Sequence, residues 1–116
     1  MAYPSEQIEE LKRYCQKLSS FSEAGTILFY LEGLRLPSGC TPDTCDALLC
    51  PTTRRGYPSM LYFSSQIQSA YTRNWNVLNE RIGEKNWFAF SWRVDSPSST
   101  LQQLLIAHLN GFAKVK

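Results

Sequence analysis

Histidine is almost absent from this chain, with His108 the only one in 116 residues. Any nucleophile that needs an imidazole base therefore has a single candidate partner. A zinc centre of the paired-ligand kind is short of donors too. Cys40, Cys45 and Cys50 have four residues between neighbours, without the close pairs and following histidines of such sites. Long apolar runs are missing as well, and no stretch approaches the roughly 18 residues of a membrane span. The basic residues are scattered singly or in pairs, as in Lys12-Arg13 and Arg54-Arg55, and the net charge is only +2. That pattern excludes a continuous basic groove for nucleic acid. No glycine loop of the phosphate-cradling type and no metal-type carboxylate cluster is present. Glu80 and Glu84 read as solvated loop residues. No cofactor and no metal is expected.

The opening residues, MAYPSEQIEELKRY, carry no basic segment followed by an apolar one, so they do not read as a secretion signal. The expectation is a cytoplasmic protein whose four thiols stay reduced. What the chain does have is an ordinary globular mixture, 43% apolar, 19% charged and 13% aromatic. Its length suits one domain over residues 1–116 with a single core.

Residues 5–18 read as a helix. Ile8, Leu11, Cys15 and Leu18 recur at three- and four-residue steps, while Glu6, Glu9, Lys12, Arg13 and Lys17 face water. Residues 25–36 (GTILFYLEGLRL) predict a strand, bent near Gly33, that ends at Pro37-Ser38-Gly39. CDALLC (45–50) and SMLYF (59–63) predict two more, joined by the turn TTRRG. Residues 64–86 show no periodicity and predict a long irregular loop. WFAFSWRV (87–94) predicts a fourth strand, with Trp87, Ala89 and Ser91 on one face and Phe88, Phe90 and Trp92 on the other. A last helix follows, with capping-box spacing at Ser99/Gln102 and at Thr100/Gln103. Its apolar face is Leu101, Leu104, Leu105, His108, Leu109 and Phe112. The sum is an α+β domain: N-terminal helix, antiparallel four-stranded meander, C-terminal helix, with both helices on one side of the sheet.

Cys15 and Cys50 read as small core hydrophobes, and His108 as a histidine of the core. Trp75 is the one aromatic without an evident packing role.

The order of these features resembles the ubiquitin-conjugating-enzyme (UBC-like) fold. There a Tyr-Pro pair marks the turn between the third and fourth strands, and Tyr57-Pro58 is similar to it. Tyr71-Thr72-Arg73-Asn74 stands where that superfamily has its Tyr-His-Pro-Asn motif, with only the tyrosine and asparagine kept. Trp92 followed by DSPSSTLQQLLIAHL looks like the family's tryptophan, Ser-Pro loop and helix. More narrowly, LRLPSG, DALLCP, GYPSMLYF and NW…FSW resemble the bacterial set called prokaryotic family E. Against the superfamily's pattern the C-terminus is shortened to one helix.

The resemblance implies a role in bacterial ubiquitin-like conjugation. The implied partners are a ubiquitin-like protein, an adenylating activating enzyme of the ThiF type and a JAB-type metallopeptidase of the same pathway. The N-terminal helix, with Glu6, Glu9, Lys12 and Arg13 on its outer face, is where this fold meets its activating enzyme.

One departure stands out. The family's cysteine would fall near residues 82–84, where the chain has none, and no serine or threonine lies between Arg73 and Phe90. Three readings follow. Transfer could run through another nucleophile, with Ser91 beside Arg93 the nearest hydroxyl. The chain could be an inert docking module like the RWD domains. Or it could position the ubiquitin-like tail for a partner's chemistry, Asn74 helping to stabilise an oxyanion.

Overall fold

The computed structural model describes residues 3–23, 25–54, 56–69, 75, 77–90, 92, 94 and 100–112. Helix α1 (Ser5–Lys12) is followed by strands β1 (Lys17–Glu23), β2 (Thr26–Arg35), β3 (Thr44–Cys50) and β4 (Met60–Phe63). A hairpin of β5 (Val77–Ile82) and β6 (Lys85–Ala89) comes next, then helix α2 (Leu101–Leu109) and a 3₁₀ turn, Asn110–Phe112. The described strands form one antiparallel sheet in the order β1-β2-β3-β4-β6-β5.

The α+β class holds, but the four-stranded meander is corrected to six strands. The first helix stops at Lys12 rather than continuing to residue 18. Beyond it the backbone turns to pair with β2: Gln16 N–H donates to Glu32 O at 2.8 Å, and Arg35 N–H donates to Tyr14 O at 2.9 Å. Lys17 and Leu18 then open β1, which pairs with β2 without interruption over all seven residues. The expected loop over 64–86 contains β5 and the start of β6, joined through Gly83 at φ +63°. The strand placed at 87–94 begins at Lys85 and ends at Ala89.

The bend expected near Gly33 is present, and its cause is local. The β2–β3 register shifts between Leu31 and Leu34, and Gly33 takes φ +66°, a conformation that L side chains rarely adopt. The N–H of Gly33 donates to Asp46 Oδ1 at 2.9 Å, and the Tyr30 hydroxyl donates to Asp46 Oδ2 at 3.3 Å. A side-chain carboxylate thus replaces the ladder partner that the bulge displaces.

The sheet buries two separate apolar layers. Leu11 of α1 and Leu101, Leu105 and Leu109 of α2 meet Phe29, Leu31, Leu49, Leu61 and Phe63 on one face. Both helices therefore lie on the same side, as expected. The opposite face holds Leu28, Leu48, Cys50, Tyr62, Val77, Ile82 and Trp87, closed by the β5–β6 hairpin. Phe90 and Trp92 pack in the helix-side layer while Trp87 and Ala89 pack in the other, so the expected alternation holds for these residues.

Helix α2 begins with the Thr100–Gln103 capping box. The Gln103 N–H donates to Thr100 Oγ1, and the Thr100 N–H donates to Gln103 Oε1. Gln7 of α1 accepts the Leu101 N–H at 3.1 Å and so adds a second cap from the neighbouring helix. Gly111 sits so close to the Phe90 ring that an added Cβ would lie 2.7 Å from it.

Candidate functional site

The Tyr-Pro turn lies in the connection between β3 and β4. Arg54 and Tyr57 exchange backbone hydrogen bonds of 2.9 Å each way, closing a tight loop in which Gly56 has φ +82°. Pro58 follows outside the ladder, where its missing N–H costs nothing, and the strand starts at Met60. Tyr57 is half-buried against the layer away from the helices.

One residue past the turn is a polar contact that the sequence reading did not identify. The Ser59 hydroxyl lies 2.8 Å from His108 Nε2, with the serine 2% and the histidine 4% exposed. Burial lowers the imidazole pKa to about 4, so the ring is neutral at pH 7 and a weak proton acceptor. The adjoining cavity, lined by Tyr57, Phe90 and Trp92 among others, is about 10 Å³, room for about one water. Trp92 donates its indole N–H to Ala107 O at 3.0 Å, which ties this side chain to α2. Ser59 and His108 thus fasten the Tyr-Pro turn to the last helix. The signal available in the sequence was a serine directly after Tyr-Pro in a chain with one histidine.

Behind the turn stands an ionic cluster. Arg54 donates to Glu80 at 2.8 Å, to Glu23 at 3.3 Å and to the Tyr62 hydroxyl at 2.8 Å. Burial works against the Arg54 charge, but the bonds it donates to Glu80 and Tyr62 outweigh this and raise the guanidinium pKa. Tyr62 is pushed up to about 12, chiefly by burial. Glu80, expected in a solvated loop, is instead held by this arginine on β5.

All four cysteines are free and buried, between 0% and 8% exposed. Cys15 lies in the helix-side layer and Cys50 in the other, as the core reading expected. Burial raises the pKa of Cys15 and Cys40, which disfavours their thiolates. Trp75 has a packing role after all: its ring meets Phe63 and Phe90 edge-on, with centroids 6.0 and 5.2 Å apart.

Glu6, Glu9, Lys12 and Arg13 are exposed on or just after α1, and Lys12 pairs with Glu9 at 2.8 Å. Asn74, Ser91 and Arg93 lie outside the described residues. Among the described residues no group of three or more metal-ligating side chains comes together, and no helix is long and apolar enough to cross a membrane. On the face away from the helices, Phe21, Tyr30, Leu48, Ile82 and Trp87 line a mostly apolar cavity of about 240 Å³, with Lys85 and Glu84 at its rim. Comparison with protein-family models, curated proteins and solved structures finds no match.

Proposed function

We propose that the chain is a ubiquitin-conjugating-like component of a bacterial ubiquitin-like conjugation pathway, one that receives or positions the ubiquitin-like C-terminus without the usual catalytic cysteine. One observation carries this reading. Tyr57-Pro58 stands in the connection between the third and fourth strands of a meander that follows an N-terminal helix. That is the place the resemblance assigns to the pair, and the reading rests on it. The partners are the ubiquitin-like protein, a ThiF-type activating enzyme meeting Glu6, Glu9, Lys12 and Arg13, and a JAB-type peptidase, all in the cytoplasm.

A second reading, a non-catalytic RWD-like adaptor, is favoured by the thiols. With every cysteine at most 8% exposed, none is presented to accept an acyl group. Incubation with the activating enzyme, ATP and the ubiquitin-like protein separates the two. An adduct that survives thiol reductant but yields to mild base supports an ester carrier, and its loss in Ser91→Ala locates it. A complex without an adduct supports the adaptor. Neither adduct nor complex overturns both, and an adduct cleaved by reductant returns the chemistry to a cysteine.

A further inference from the structure

The two edges of the sheet differ. The β5 edge is irregular: its register with β6 shifts between Val77 and Glu80, and Asn79 takes φ +59°. A bulge of this kind is a usual means of keeping an edge from pairing with another chain. The β1 edge has no such protection. Its seven residues, KLSSFSE, keep one unbroken register with β2 and contain no proline, no glycine and no bulge. Among the described residues, no backbone hydrogen bond from residues 18–22 goes anywhere but β2.

The same seven residues are self-complementary. Antiparallel pairing of β1 with a second β1 about Ser20 sets Lys17 opposite Glu23, Leu18 opposite Ser22 and Ser19 opposite Phe21, each twice by symmetry. Opposite residues share a face, so each Lys17 meets a Glu23 on the sheet side away from the helices. Lys17 is exposed and has no ion pair among the described residues. The Glu23 side chain is 34% exposed, and its bond to Arg54 is the longer of that arginine's two carboxylate contacts. On the same side, Phe21, a wall of the 240 Å³ cavity, would cover the partner's Ser19, whose neighbour on β2 is Tyr30. No other antiparallel register pairs all seven residues or both charges.

We propose that β1 is a homodimer edge, joining two copies of this chain about a two-fold axis at Ser20 into one continuous sheet. The occupant is a second copy because the strand's charges complement their own reverse order.

Sedimentation of the full chain over about 1–200 µM tests this, together with thiol cross-linking of Ser20→Cys and Ser22→Cys. Both serines are exposed, and the native thiols are buried, so background oxidation is low. In the proposed register the Cα atoms of two residues at position 20 lie about 4.5–5.5 Å apart, within disulfide range. Two residues at position 22 lie about 13 Å apart. The expected result is a concentration-dependent dimer that Ser20→Cys traps and Ser22→Cys does not. Lys17→Glu, which faces Glu23 with a like charge, is expected to weaken association about tenfold with unchanged circular dichroism. A monomer throughout the range overturns the proposal, as does a dimer trapped only at position 22 or indifferent to Lys17→Glu.

Discussion

His108 shows how far one side chain's surroundings can set the pH response of a small domain. Its pKa falls from an ordinary 6.5 to about 4 through burial, so the unfolded chain binds this proton more readily than the folded one. The stability tied to the neutral ring is complete above pH 6.5 and is lost as pH falls toward 4. A shift of this size corresponds to about 3 kcal/mol over that window. Urea unfolding between pH 7 and pH 5, above most carboxylate titration, is expected to show a decline that His108→Gln flattens. The partner can be tested separately. Ser59→Ala leaves a buried ring nitrogen without its hydrogen bond and is expected to cost about 1–3 kcal/mol at pH 7. An unchanged urea midpoint would mean that the contact does not hold the turn to α2.

At the scale of elements, the β5–β6 hairpin is held to the rest of the sheet by contacts distant in sequence. It meets β4 through the pair Phe63–Phe88. Other contacts fasten it to the far side of the sheet: Arg54 to Glu80, the Gly83 N–H to Glu23, Lys85 to Asp46, and Trp87 edge-on to Tyr30. Removing the cation leaves two carboxylates facing each other in a partly buried place. Arg54→Met is therefore expected to cost about 3 kcal/mol and to speed amide exchange in residues 77–89. Exchange rising equally everywhere would show that Arg54 supports the whole fold and not the hairpin.

This hairpin also marks where the sequence stopped being legible. Strands β2, β3 and β4 announced themselves by β-branched, aromatic and aliphatic runs, and α2 by its apolar spacing and capping box. By contrast, β5 (VLNERI) shows no such run, and the partner that holds its Glu80 is Arg54, 26 residues earlier, which no local pattern encodes. β1 stayed hidden because an edge strand with three serines has no strong alternation, and because Leu18 also continued the helical spacing of Ile8, Leu11 and Cys15. Of the site, the Tyr-Pro turn was legible as a local motif, while the Ser59–His108 contact spans 49 residues and was not.

Across the whole molecule, both apolar layers share one sheet, and adjacent residues of β3 and β4 point alternately into each. Leu49 and Leu61 face the helices, while Leu48 and Tyr62 face away. Neither layer can be lost without exposing the strands that support the other. Urea unfolding followed by far-ultraviolet circular dichroism and by methyl proton signals from each layer is expected to give one coincident transition. Separate midpoints would show two cooperative units.

The placement of the three tryptophans has an optical consequence. Trp87, 2% exposed with its indole N–H on Ile82 O, lies in the layer under the hairpin, whereas Trp75 and Trp92 are half-buried on the helix side. Blue emission that resists quenching belongs to the first, and redder, quenchable emission to the other two. Each face of the sheet carries its own lamp, and light from the native chain distinguishes them without any added label.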